Sequence, residues 1–175
     1  MDTFYSQITE YLPIRQDRFV CKSLNFKKNG TFLDVGCHDY MRISNTYYLE
    51  KELNWTGIGV DIDPQFKEGW DLYRKSPFIL ADAATVNYQK LLSSHNMPEI
   101  IDYLTVDIEP PLLTLEALYR IFQTNYSFNI VTFETDYYRE KNTREPSRNL
   151  LTSKGFKLIR GSQQDDYYIH SRLLN

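Results

Sequence analysis

Residues 31–64, TFLDVGCHDYMRISNTYYLEKELNWTGIGVDIDP, constrain the fold more than any other stretch of the chain. They parse as strand, glycine turn, helix, strand, acid. Thr31–Val35 is a short apolar run whose acid is Asp34, and Gly36 opens the turn. Ser44–Leu53 has helical spacing, with Tyr48, Leu49 and Leu53 on one side. Thr56–Val60 is a second apolar run, and Asp61 stands at its end. In an open parallel sheet, ligands bind outside the carboxyl ends of the strands. The first turn takes the polar end of a nucleoside-like ligand, and the acid after the second strand takes ribose hydroxyls. Asp61 follows Gly36 by 25 positions (61 − 36), close to that spacing, so the expected ligand contains an adenosine-like ribose.

A dinucleotide would need three glycines at G-x-G-x-x-G, so that the backbone can approach a pyrophosphate. Only Gly36 is in place here, and His38 and Tyr40 add bulk where a pyrophosphate needs room. A ligand without phosphates does not need that clearance. S-adenosylmethionine fits: it has a ribose, an adenine and a cationic amino-acid end that carboxylates such as Asp34 can face. Cys37 reads as a small turn residue rather than a nucleophile, since no base is paired with it. The same pattern also suits a strand–turn–helix with no ligand.

Strands and helices alternate along the rest of the chain. Residues 3–25 have helical spacing, with Phe4, Ile8, Leu12, Phe19 and Leu24 as core contacts and a break at Pro13. Pro64 can open a helix whose apolar face would be Phe66, Trp70 and Tyr73. Phe78–Ala81, Ile100–Val106 and Asn129–Phe133 read as strands. Val86–Leu92, Leu112–Phe122 and Glu145–Ser153 read as helices, the last with Gly155 at its C-cap. Lys157–Arg160 and Asp166–His170 are two short final strands forming an antiparallel edge. The expected fold is α/β. It is a single Rossmann-like domain over residues 1–175, with a helical segment at 1–27 and a core at 31–170. A mostly parallel seven-stranded sheet would carry helices on both faces.

Acids stand at or near the ends of five expected strands: Asp34, Asp61, Asp82, Asp107 and Glu134. Parallel strands would gather them along one edge. There, like charges repel unless a cation or hydrogen-bond donors lie between them. Asp61 would accept from ribose hydroxyls, and Asp82, followed by Ala83, from the adenine amino group. Asp34 and Asp107 would face the amino-acid end and the sulfonium. A hydroxyl acceptor also needs a base. The candidates are His38, Glu109 and Glu134, with Asp136 next. His95 and His170 read as surface or edge residues.

GTFLDVGCHDYMRISNTYYLEKELNWTGIGVDIDP resembles the opening of the FkbM-type methyltransferases, a branch of the class I S-adenosylmethionine-dependent enzymes. In that branch a D-(I/V)-G-x-x-x-G turn is followed by SNTYxLEKELxWxG. IDYLTVDIEPP resembles the strand that ends DIEG in the family, and IVTFETD the strand that ends in Glu. REPSRNLLTSKGFKL and DDYYIH resemble its closing helix, glycine turn and strand. The resemblance runs from about Gln16 to His170. Tyr40 or Met41 stands where a second glycine is usual, and DIEPP replaces DIEG. The resemblance implies a class I methyltransferase domain that uses S-adenosylmethionine to methylate a hydroxyl of a sugar-containing or other small acceptor. Cofactor contacts would fall on Asp34, Gly36, Cys37, His38, Ser44, Asp61, Ile62, Asp82, Ala83 and Asp107.

The residues at the strand ends also suit two further chemistries. Asp107, Glu109, Glu134 and Asp136 are hard oxygen ligands suited to Mg²⁺ or Ca²⁺. No compact loop spaces them as ligands, so the expectation is no metal. Glu109-Pro110-Pro111-Leu112 sits where adenine-amino methyltransferases carry an Asp/Asn-Pro-Pro-aromatic loop, but the short acceptor and the stacking ring are both missing. An amino-group methyltransferase, or a binding module that keeps the cofactor edge without turnover, remains the alternative.

The paired tyrosines (Tyr47–Tyr48, Tyr137–Tyr138, Tyr167–Tyr168) suit partly exposed strand and helix positions more than a pocket. Arg144 and Arg148 would share a helix face, pairing with Asp165 and Asp166 or with an anionic acceptor. Net charge is −3, with Lys and Arg scattered, which argues against a nucleic-acid partner. No apolar run reaches the roughly 18 residues of a membrane span. The N-terminal stretch lacks the basic and apolar regions of a secretory leader, and two cysteines make no disulfide framework, so the expected compartment is the cytoplasm. A chain of 175 residues leaves little for an acceptor-binding cap. An open pocket, completed by a second copy in a homodimer or by a large acceptor, is therefore expected.

Overall fold

A computed structural model describes residues 16–174. The expected helix over residues 3–15, with Phe4, Ile8 and Leu12, lies outside the described residues. From Gln16 onward the elements are α1 (Gln16–Ser23), β1 (Thr31–Val35), α2 (Tyr47–Leu53), β2 (Thr56–Asp61) and α3 (Lys67–Tyr73). Next come β3 (Phe78–Leu80), α4 (Tyr88–Ser94), β4 (Ile100–Val106), α5 (Pro111–Ile121) and β5 (Ser127–Glu134). The chain closes with α6 (Arg144–Ser153), β6 (Phe156–Gly161) and β7 (Asp165–His170). Short 3₁₀ turns occupy Pro64–Phe66 and Ser171–Leu173.

Among the described residues the seven strands form one sheet in the order β3-β2-β1-β4-β5-β7-β6. The first five strands in that order run parallel. The two final strands form the expected antiparallel edge: β7 inserts antiparallel between β5 and β6, and β6 lies outermost. The reason is local: Gly155, at φ +87°, turns the chain off α6 into β6, and the β6–β7 hairpin folds β7 back against β5.

The period-2 alternation of the strands divides the core. On one face Leu33, Val35, Ile58, Val60, Leu104 and Val106 pack with Leu118 and Ile121 of α5 and Leu151 of α6. On the other, Phe32, Tyr103 and Ile130 pack with Val20 of α1 and Leu49 and Leu53 of α2. That second face turns polar toward the carboxyl ends. Asp34 pairs in register with Thr105, Thr105 with Thr132, and Thr132 with Tyr167. A polar row thus crosses the central strands one step below the edge at which the loops emerge.

Two expectations need correction. The helix read as Ser44–Leu53 begins at Tyr47, because Ser44 and Thr46 use their side chains in the preceding loop. Tyr73 does not join the apolar face of α3. Trp70 is buried there with Cys37 and Phe78, while Tyr73 is exposed and stacks on Tyr40.

Candidate functional site

Gly36 sets the geometry of the first turn. It sits at φ +85°, and a Cβ there would lie 1.7 Å from the Asp107 carbonyl oxygen. Only glycine lets the chain leave β1 pressed against the end of β4. The Gly36 N–H donates to Val60 O at 2.9 Å, and the Asp107 N–H to Val35 O at 2.9 Å, so the turn is tied to both neighbouring strands. Cys37 follows into the core beside Trp70 and Phe78, and burial pushes its thiol well above the ordinary range. That fits a small turn residue, not a nucleophile. His38 adopts φ +50°, and its exposed ring lies 3.9 Å from the Phe66 ring. Tyr40 adds no bulk at the mouth of the turn. It rests on Gly69 of α3 and stacks on Tyr73 at 4.7 Å.

Asp61 joins this turn to the end of β2. Its Oδ2 accepts from the His38 N–H at 2.8 Å and its Oδ1 from the Asp63 N–H at 2.9 Å. Ile62, next to it, is 67% exposed although apolar. Asp82 accepts from the Ala84 N–H at 2.9 Å, and Ala83 is buried with its carbonyl held by the Tyr88 hydroxyl.

Asp34 lies under the loop rather than in its mouth. It is buried and accepts from Thr46 Oγ1 at 2.6 Å. Burial pushes its carboxyl up to about 6; the Thr46 bond and the nearby Arg74 guanidinium work against that rise, while Asp107 and Asp61 add to it. Arg74, just past α3, holds the whole loop. It donates to Tyr40 O at 3.0 Å, to Ser44 Oγ at 3.3 Å and to Thr46 Oγ1 at 3.0 Å. Its guanidinium lies 4.1 Å from the Trp70 ring. Its Nε is 3.2 Å from Glu50 Oε2 yet has no hydrogen-bond partner, so that pair attracts by charge alone. Ser44 in turn accepts from the Thr46 and Tyr47 N–H groups. The expected cofactor residue Ser44 is therefore a buried hinge of the loop.

At the ends of β4 and β5 the acids crowd. Glu134 and Asp107 share a hydrogen bond, and burial raises both carboxyls. Arg139 pairs with both Glu109 and Asp136. Asp136, at φ +44°, is buried, and its Oδ1 has no hydrogen-bond partner. Burial and the neighbouring Asp107 push Asp165 up to about 6. Arg148 does pair with Asp166, at 2.7 and 2.9 Å, while Arg144 donates to Ser162 O.

Three contributors were not visible in the sequence. Gln16 accepts through Oε1 from Tyr103, Thr105 and Thr132, and donates to Asp165 at 3.2 Å, filling the polar row. Arg74 and Arg139 supply the cations that offset the acids. Gln16 and Arg74 lie far along the chain from what they hold, as Arg139 does from Glu109, and no local period marks these pairings.

Comparisons with known proteins bear on the fold. No family model matches the chain, and no curated protein matches it. Solved structures do. The N-methyltransferase NodS from Bradyrhizobium japonicum WM9 matches with a TM-score of 0.55 and 11% identity, over 97% of this chain and 98% of its own. A SAM-dependent methyltransferase from Archaeoglobus fulgidus matches with a TM-score of 0.53 and 18% identity, over 89% and 75%. Aeropyrum pernix fibrillarin, in complex with natively bound S-adenosyl-L-methionine, matches with a TM-score of 0.53 and 13% identity, over 82% and 67%. The chain has the Rossmann-like methyltransferase fold.

The edge carries the groups that a nucleoside-like ligand needs. A carboxylate offers about four acceptor sites, so Asp61 keeps capacity for ribose hydroxyls beyond its two backbone bonds. Exposed Ile62 offers an apolar face beside it for a base. Asp107 and Asp61 both act electrostatically on Asp34, so the edge favours a cationic ligand group.

Proposed function

We propose that this chain is an S-adenosylmethionine-dependent methyltransferase acting on a hydroxyl of a small, sugar-containing acceptor. The observation that carries the donor is Asp61, fixed at the carboxyl end of β2 by the glycine turn itself within a methyltransferase fold. The acceptor class follows the resemblance to FkbM-type enzymes. In this reading Asp61 receives the ribose, Ile62 packs on adenine, and Asp82 and Ala83 face the adenine amino group. Gly36, Cys37 and His38 form the turn at the amino-acid end, which Ser44 braces, with the charge of Asp34 and Asp107 behind it. The buried, unpaired Cys21 and Cys37 suit a reducing compartment such as the cytoplasm.

Bound there, S-adenosylmethionine supplies a methyl already activated on a sulfonium. The chain must hold the acceptor oxygen in line at about 3–3.5 Å and take its proton. His38 and Glu109 are the groups assigned to that task. The test is a screen of hydroxylated acceptors with methyl-labelled donor, repeated on His38→Ala and Glu109→Gln. Loss of the base lowers turnover by about 10²–10⁴-fold and leaves cofactor affinity nearly unchanged. Preferential labelling of amino acceptors would replace the hydroxyl reading. Tight cofactor binding without turnover on any acceptor would leave a binding module.

A further inference from the structure

We propose that Glu109, Glu134 and Asp136 form a binding site for a hard divalent cation at the carboxyl ends of β4 and β5. One carboxylate oxygen from each residue lies within 4.8 Å of the others. Oxygens bound to one Mg²⁺ or Ca²⁺ ion at 2.0–2.6 Å are at most about 5 Å apart, so the triangle is the right size. Glu134 closes β5, Asp136 follows two residues later, and Glu109 stands three residues past β4, so two rigid strands aim the group.

An acidic cluster alone would carry little. The second observation is Asp136, which is 1% exposed and has an Oδ1 with no hydrogen-bond partner. An unpartnered buried carboxylate oxygen is costly in a folded protein and calls for an ion or an unseen partner. Its position is not accidental slack. The Thr135 and Asp136 N–H groups both donate to Gln164 O, at 2.6 and 3.0 Å, and Asp136 O receives the Arg139 and Glu140 N–H groups at 2.9 Å each. The backbone is thus clamped with the carboxylate turned inward. A third observation is the charge already drawn there: the Arg139 guanidinium bridges Glu109 and Asp136. One exposed guanidinium serves two of the three carboxylates, and a divalent ion would replace it. All three ligands are carboxylates, which selects Mg²⁺, Ca²⁺ or Mn²⁺ over softer metals. Use of the ion to grip acceptor oxygens beside the methyl donor rests on the methyltransferase reading; binding of the ion does not.

The test therefore needs neither methyl donor nor turnover. Mn²⁺ is titrated into chelator-treated full-length protein, and free Mn²⁺ is followed by electron paramagnetic resonance. About one ion per chain is expected, displaced by excess Mg²⁺ or Ca²⁺. Glu109→Gln, on an exposed residue, and Asp136→Asn, at a left-handed position that Asn tolerates, should each weaken binding by about 10-fold or more. If Asp136→Asn fails to fold, Glu109→Gln alone decides. Arg139→Gln should tighten binding, because it removes the competing charge. Glu116→Gln, on the outer side of α5 and paired with Arg120, should change nothing. No loss of free Mn²⁺ at millimolar metal, equal affinity in Glu109→Gln and the parent, or weaker binding in Arg139→Gln would each overturn the proposal.

Discussion

Asp34 carries the pH dependence at the scale of single residues. Its folded value of about 6 lies above the ordinary 3.8, because burial disfavours the charged form. The fold therefore prefers the protonated acid. Stability from this group is complete below about pH 4 and is lost as pH rises through about 6. Asp165, also pushed up to about 6, adds a fall in the same window. Asp34→Asn, which keeps an acceptor for Thr46, should remove part of that decline, seen as a smaller drop in melting temperature between pH 4 and pH 7. An unchanged profile would mean that Asp34 is already charged without penalty. Gly36→Ala is the harsher change. Its methyl would meet the Asp107 carbonyl at 1.7 Å in a conformation that L residues avoid, so the turn must move. Binding of S-adenosylhomocysteine should fall by more than about tenfold, and equal affinity in titration calorimetry would contradict this account of the turn.

At the scale of elements, SNTYYLEKEL is a clamp more than a lining. Ser44 braces the N-terminus of α2, Asn45 donates to Thr105 at 3.3 Å, Thr46 holds Asp34, and Glu50 accepts from the Lys75 and Ser76 N–H groups. Ser44, Thr46 and Glu50 converge on Arg74, whose side chain is fully buried opposite Glu50. Removing one member of a buried pair leaves the other charge uncompensated, at a cost of about 3–5 kcal/mol. Arg74→Met should show that loss in chemical denaturation, and Arg74→Met with Glu50→Gln should regain part of it. A loss below about 1 kcal/mol would mean that water reaches the pair. The sequence marked this segment as a helix opening at Ser44, since capping residues and helical residues run together there. It could not show that Ser44 and Thr46 face back toward α3, because the partner is 28 to 30 positions away.

At the scale of the whole molecule, the strand–turn–helix–strand opening and the apolar runs made most of the sheet legible. Thr31–Val35 and Ile100–Val106 lie where they were read, because parallel strands covered on both faces show as unbroken apolar runs. The place of β7 inside the antiparallel edge was not legible, since a hairpin's alternation does not say which of its strands meets β5. The edge acids were legible one by one. Their unequal settings were not: backbone donors hold Asp61, Thr46 covers Asp34, and a shared proton joins Asp107 to Glu134. Those differences arise from burial and from residues such as Arg74, near Asp34, that only the fold brings near. No helix among the described residues is long and apolar enough to cross a membrane.

The most direct test of the central claim is titration calorimetry of the full-length chain with S-adenosylhomocysteine, beside Asp61→Ala and with NAD as the competing ligand. The account predicts one site per chain, weakened by about 1–3 kcal/mol in Asp61→Ala through lost charge-assisted hydrogen bonds. No binding at millimolar S-adenosylhomocysteine, or tighter binding of NAD, would contradict it.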